Sequence, residues 1–85
     1  MALGELYLER KDVLAIVAFR ELVALAPEDA NAHYYLGIAL SARDRNDEAT
    51  TMFQQARDLY TQSNNEEGIK KTNDALTELQ RINRP

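Results

Sequence analysis

The 85-residue sequence contains no cysteine, which excludes disulfide bonds and thiolate metal sites. A chain this short therefore needs a well-packed core or a partner chain to be stable. No apolar run approaches the ~20 residues that a membrane-spanning helix requires. Because Glu5 lies within the N-terminal apolar stretch and no basic residue precedes it, a secretory signal peptide is not expected. The default expectation is a cytoplasmic protein.

Basic residues are also scarce, with ten Lys and Arg against fourteen Asp and Glu and a net charge of −4. Nucleic-acid binding depends on clustered Lys and Arg, so we expect no nucleic-acid partner. The chain has one histidine, His33, and no phosphate-binding glycine loop or hydrolase motif. A catalytic site needs several groups that converge, so we predict no enzyme, no cofactor and no metal site, with His33 structural.

Helix breakers are few, with two prolines and three glycines. Apolar residues recur at helical spacing through most of the chain, which predicts an all-α fold. Short polar turns between the helical segments indicate antiparallel neighbours. The pattern predicts about five helices, at residues 1–10, 12–26, 30–42, 47–62 and 65–83.

The chain also repeats itself. Phe19 and Phe53 lie 34 residues apart, and LGELY at residues 3–7 is similar to LGIAL at residues 36–40, at a spacing of 33. The first copy is one residue shorter than the second between its two predicted helices. A period of 20–50 residues is typical of stacked helical repeats, so two copies of a helix pair are predicted.

This pattern resembles the tetratricopeptide repeat, a helix–turn–helix unit of about 34 residues. The resemblance implies antiparallel helix pairs in a right-handed superhelix. Residues 1–62 would hold two pairs, the first truncated at its N-terminus, and residues 63–85 would form a polar capping helix and tail. The second copy carries the resemblance at Leu36, Gly37, Leu40, Ala49, Phe53 and Ala56, and the first copy at Leu3, Gly4, Tyr7, Ala15, Phe19 and Pro27.

Gly37 lies in the middle of a predicted helix, where glycine costs about 1 kcal/mol relative to alanine. In the family, small residues lie where helices cross closely. We therefore predict that another helix packs so tightly against Gly37 that a Cβ atom would not fit.

The resemblance also implies that the first helix of each pair lines a concave groove. An aromatic and an aliphatic side chain flanked by amide and hydroxyl groups suit a bound peptide or helix. Tyr35 is expected to pack while Tyr34 faces the groove. Lys70 and Lys71 offer an alternative contact for an acidic partner, although a solvated face also explains them. The predicted groove residues are Glu5, Leu8, Asn31, Tyr34, Ile38 and Ser41.

The segment 12–26 is more apolar than a small monomer needs, and exposed apolar patches usually mark interfaces. Val13, Ile16 and Val17 are therefore predicted to contact a second copy in a homodimer. The leading interpretation is a non-catalytic protein–protein interaction module, acting as a scaffold or assembly factor. The alternative is a structural or self-association element, as the end of a longer array or as a homodimer without its own ligand.

Overall fold

The computed structural model describes the backbone of residues 2–82 and the side chains of residues 13–81. This part of the chain is all-α, as predicted, and contains no strand. Its four helices are α1 (Ala2–Leu25), α2 (Ala30–Ala42), α3 (Asn46–Gln62) and α4 (Glu66–Ile82).

The starts of α2 and α4 are fixed by side chains that accept hydrogen bonds from free backbone N–H groups. Asp29 Oδ1 accepts from the Ala32 N–H at 3.2 Å, and Asn65 Oδ1 accepts from the Gly68 N–H at 2.9 Å. Pro27 lies in the turn before α2, where it cannot extend α1. These local signals explain why α2 and α4 match the predicted segments within one residue at each end.

The prediction of two separate helices at residues 1–10 and 12–26 is wrong, because α1 runs through this region without a break. Residues 9–12 read ERKD, and Glu, Arg and Lys are strong helix formers. Asp12 therefore does not begin a helix. Residues 2–25 do not form the antiparallel pair that the repeat pattern predicts.

The helices form two layers. In sequence order each helix packs on the next. Arg20 on α1 pairs with Glu48 on α3 at 2.7 Å, and the Nζ of Lys71 on α4 lies 4.5 Å from the ring centroid of Tyr34 on α2. One layer therefore contains α1 and α3, and the other contains α2 and α4 with a groove between them.

The core lies between these layers, and Gly37 is part of it. A Cβ atom on Gly37 would lie 2.7–2.9 Å from ring atoms of Phe53, which is closer than real Cβ contacts allow. The predicted close approach is therefore present. Gly68 on α4 meets the ring of Tyr60 in the same way. The larger buried core side chains are Ile16, Leu36, Leu40, Phe53, Leu76 and Leu79.

Candidate functional site

Aromatic side chains from α2 form one wall of the groove. Tyr34 is half-buried, with its ring centroid 5.6 Å from that of Phe53. Tyr35 stacks on Phe19 of α1 at 5.8 Å but remains 46% exposed. Tyr35 thus packs on a neighbour as expected, yet Tyr34 is the more buried of the two. Both rings remain accessible to a partner beside the groove, because neither is fully buried.

Lys71 projects from α4 towards these rings. Its Nζ lies 4.5 Å from the Tyr34 centroid, 5.7 Å from that of Tyr35 and 5.4 Å from that of Tyr60. A cation over aromatic faces is attracted by the negative charge of the ring faces. The three rings therefore hold a positive charge at one end of the groove.

A small apolar pocket lies at the other end of the groove. Its volume is about 180 Å³, below the 300–1,000 Å³ typical of small-molecule sites. Ile38 lies at its edge and is 42% exposed. A pocket of this size suits one apolar side chain of a larger partner. The lining residues are Ile38, Ser41, Asp44, Asn46, Phe53, Ala75, Glu78 and Leu79.

Two further predicted groove residues have hydrogen bonds within the chain. Asn31 Oδ1 accepts a hydrogen bond from the Tyr60 hydroxyl at 2.5 Å, which connects the start of α2 to the end of α3. Ser41 Oγ donates to the Ile38 carbonyl oxygen at 2.9 Å. The structure thus brings Tyr34, Ile38 and Ser41 to the groove with Asn31 at one end. The side chains of Glu5 and Leu8 lie outside the described residues.

The contact between Lys71 and the tyrosines is not predicted by the sequence, which offers Lys71 either as a contact for an acidic partner or as part of a solvated face. The structure places Lys71 opposite Tyr34. One signal was available: Lys71, Ala75 and Glu78 recur at i, i+4 and i+7 beside the buried stripe of α4, which defines a second face of that helix. The contact itself joins residues 37 positions apart, and such a pairing is not visible in local spacing.

The predicted self-association residues do not share one environment. Val13 and Val17 are 45% and 49% exposed, but Ile16 is only 5% exposed and lies in the core. Helical spacing places Ile16 on the same side of α1 as Phe19 and Val23, which pack towards α2. Ile16 is therefore not available at the surface for a second copy.

A cluster of three charged side chains, Arg20, Arg45 and Glu48, connects α1 to the start of α3. Hydrogen bonds from Arg20 and Arg45 lower the pKa of the Glu48 carboxyl group below its ordinary value.

His33 is buried, and its Nδ1 donates to the Asp29 carbonyl oxygen at 2.9 Å, so this histidine has a structural partner. Among the described side chains, no group of three or more His, Asp or Glu residues could hold a metal ion. Within the described residues, no helix is long and apolar enough to cross a membrane.

Comparison with known proteins identifies the repeat. The family model described as tetratricopeptide repeat matches residues 31–63, which contain almost all of α2 and the whole of α3. A TPR repeat-containing protein of Picosynechococcus sp. is 36% identical over 66 residues, which cover 78% of this chain and 17% of the relative. The chain thus spans only a small part of that relative's length. No solved structure gives a significant match. Residues 31–63 are therefore a tetratricopeptide repeat.

Proposed function

We propose that the chain is a non-catalytic interaction module that binds a peptide or helix of a partner protein in the groove between α2 and α4. Tetratricopeptide repeats generally mediate protein–protein interaction. The observation that carries the proposal is the exposure of Tyr35 and Ile38, at 46% and 42%, on the helix that lines the groove. Large apolar side chains of this kind supply most of the binding energy in protein interfaces.

The two ends of the groove define the chemistry of the partner segment. Lys71 favours an acidic side chain, and the pocket beside Ile38 favours an apolar one. Lys71 and Glu78 mark these ends and are two helical turns apart on α4, or about 10 Å along its axis. An extended peptide would span this distance with about three residues. The partner segment therefore contains one acidic residue and one large apolar residue, about three positions apart and in either order.

A more specific version of this proposal is a scaffold or assembly role, because an interaction module can hold a partner without altering it chemically. The second candidate is a structural or self-association role. It is favoured by the apolar side chains that α1 leaves exposed, among them Leu14 at 65% and Leu25 at 83%. The two roles use different surfaces, so one chain can have both.

The groove is tested by selecting ligands from a random-peptide library against the intact chain. We expect the selected peptides to combine acidic and large apolar residues. In fluorescence anisotropy, Ile38→Ala and Lys71→Ala should each weaken binding at least about tenfold, which corresponds to about 1.4 kcal/mol. Both side chains are partly exposed, so circular dichroism should show unchanged helicity in the two variants.

Lys70→Ala is the matched control, because Lys70 is the exposed neighbour of Lys71 and contributes no contact to the three tyrosine rings among the contacts described. Its affinity for the selected peptides should remain unchanged. Equal affinity in the Ile38→Ala and Lys71→Ala variants would place the binding site outside this groove. A loss confined to Lys70→Ala would move it to the outer face of α4.

A further inference from the structure

Among the described residues, most of the exposed large apolar side chains lie on α1. At 100° per residue, those between residues 14 and 25 fall within about 140° around the helix, on the side opposite the buried Ile16. The large apolar members of this surface are each at least 45% exposed. The α1 face consists of Leu14, Val17, Ala18, Glu21, Leu22 and Leu25.

The N-terminal half of the α1 face is apolar at positions where the repeat itself is polar. By the 34-residue period, Leu14 corresponds to Glu48 and Val17 to Thr51. Both of these α3 residues are exposed, as are Leu14 and Val17. A position that faces water in both copies needs no apolar side chain for folding. The large apolar residues of the first copy therefore indicate a surface that contacts a partner.

The C-terminal half of the α1 face shows which kind of element fits there. Leu22 corresponds to Ala56 and Leu25 to Leu59. Ala56 is fully buried and Leu59 is half-buried on α3, which packs against the helices before and after it. Because neighbouring helices cover the positions on α3, a helix is the element that would cover Leu22 and Leu25. A helix lying along α1 from Leu14 to Leu25 would follow it for about 17 Å.

One negative charge, that of Glu21, interrupts the α1 face. Glu21 is exposed and forms no ion pair within the described part of the chain. Residues three and four positions away are its neighbours on the helix surface, and all of them are apolar. The adjacent Arg20 does not balance this charge, because it pairs with Glu48 at 2.7 Å. The four apolar neighbours are Val17, Ala18, Ala24 and Leu25.

The end of α1 adds to the negative character of this surface. The last turn of α1 contains no basic residue, so nothing offsets the partial negative charge of the helix C-terminus. Glu28, in the following turn, is also exposed. The surface that complements the α1 face is therefore apolar and carries a positive charge.

A second copy of the chain fits the α1 face poorly. In an antiparallel pair with Leu14 level with Leu25 of the second copy, the two Glu21 residues would be about 4.5 Å apart along the axis. In a parallel pair in register they would be level. Two carboxylates in one interface repel each other and lose hydration, so each of these pairings is penalised.

We propose that the α1 face binds an amphipathic helix of a partner protein that presents a Lys or Arg to Glu21. Leu14, Ala18, Glu21 and Leu25 recur at intervals of four, three and four, which is the spacing of a helix–helix seam. The partner helix would thus carry three large apolar residues and one basic residue in its own seam, with the basic residue at an inner position. The small side chain of Ala18 leaves room for a large one. This surface is separate from the groove, so the proposal does not depend on peptide binding there.

A library of 18-residue helical peptides tests the proposal. Four seam positions at alternating intervals of three and four are randomised, the other positions are Ala and Gln, and peptides are selected against the intact chain. We expect three large apolar residues and one Lys or Arg in the seam of the peptides that bind the α1 face. In fluorescence anisotropy, the Leu14→Gln/Leu25→Gln variant should bind these peptides at least about tenfold more weakly, whereas Ile38→Ala in the groove should bind them unchanged.

Charge reversal tests the role of Glu21. Glu21→Lys should weaken binding of the selected peptides at least about tenfold, and replacing the basic residue of the peptide by Glu should restore binding to this variant. The matched control is Asp58→Lys, which makes the same change of charge at an exposed position of α3 and should leave the affinity unchanged. All of the changed side chains are exposed or partly exposed, so circular dichroism should show unchanged helicity.

Three results would overturn the proposal. The first is a selection in which no peptide loses affinity for the Leu14→Gln/Leu25→Gln variant. The second is an equal loss in Glu21→Lys and Asp58→Lys, which would show only a general attraction between opposite charges. The third is a dimer of the natural chain in sedimentation equilibrium that Leu14→Gln/Leu25→Gln dissociates, since a second copy would then occupy the α1 face.

Discussion

At the residue scale, two glycines allow two aromatic rings to lie against helix backbones. Phe53 and Tyr60 are seven residues apart on one side of α3, facing Gly37 on α2 and Gly68 on α4 respectively. Their exposed fractions are only 1% and 2%. The helix propensity that each glycine loses, about 1 kcal/mol, is offset by burial of a large ring.

Gly37→Ala should therefore destabilise the fold although alanine is the better helix former. The new Cβ would be less than 3 Å from the ring of Phe53, which is only 1% exposed, and overpacking of this kind costs about 1–3 kcal/mol. Urea denaturation checks this as a lower unfolding free energy. The Phe53→Leu background should reduce the penalty, because the smaller side chain leaves space. A Gly37→Ala variant more stable than the natural chain would contradict the proposed role of this glycine.

Only one of the two glycines could be recognised from the sequence. Gly37 follows Leu36 within a segment that repeats, and the repeat indicates a helix crossing there. Gly68 lies beyond the repeated segment, and its partner Tyr60 is on another helix. The contacts of Lys71 with the tyrosines could not be predicted for the same reason, since they depend on how α2 and α4 are arranged around α3.

At the element scale, α1 is attached to α3 by a charge cluster as well as to α2 by the core. Glu48 accepts hydrogen bonds from Arg20 on α1 and from Arg45 before α3. These bonds lower the pKa of Glu48. A lowered carboxyl pKa contributes stability that is present above the unfolded-state value and is lost as the pH falls through the folded-state value.

Glu48→Gln should thus lower the melting temperature slightly at neutral pH. The difference from the natural chain should disappear in acid, below the usual carboxyl range, where Glu48 is protonated in both states. It should also shrink at high salt, because all three side chains are solvent-accessible. Asp58→Asn, at an exposed carboxylate on the same helix, is the control. A Glu48→Gln effect that is equal at neutral and acid pH would exclude the charge cluster as its cause.

The helix boundaries could be predicted where the helical spacing of apolar residues ends at a helix-breaking or turn segment. Pro27, the polar turn at residues 43–45 and the SNN segment at residues 63–65 end or separate helices in the structure. At residues 9–12 the two signals disagree. The repeat calls for a turn, but the local sequence consists mainly of helix formers, and the apolar spacing is compatible with one helix or two. In the structure these residues follow their local helix propensity and form part of the continuous helix α1.

At the scale of the whole molecule, α4 has two roles that a deletion cannot separate. It forms one wall of the groove, and its residues Leu76, Leu79 and Thr72 are buried against the rest of the molecule. Removal of residues 63–85 would expose Phe53 and Tyr60, which are almost completely buried in the intact chain.

We therefore expect the chain of residues 1–62 to lose cooperative unfolding and to bind a hydrophobic dye, because two large rings would face water and small domains have only about 5–15 kcal/mol of stability. Thermal circular dichroism and dye fluorescence measure the two effects. The Glu78→Ala variant is the milder comparison: Glu78 is exposed and lines the pocket, so this change should leave the melting temperature nearly unchanged while altering peptide affinity. A cooperative, dye-free transition in the shortened chain would show that α1, α2 and α3 form a stable unit, and that α4 serves the groove alone.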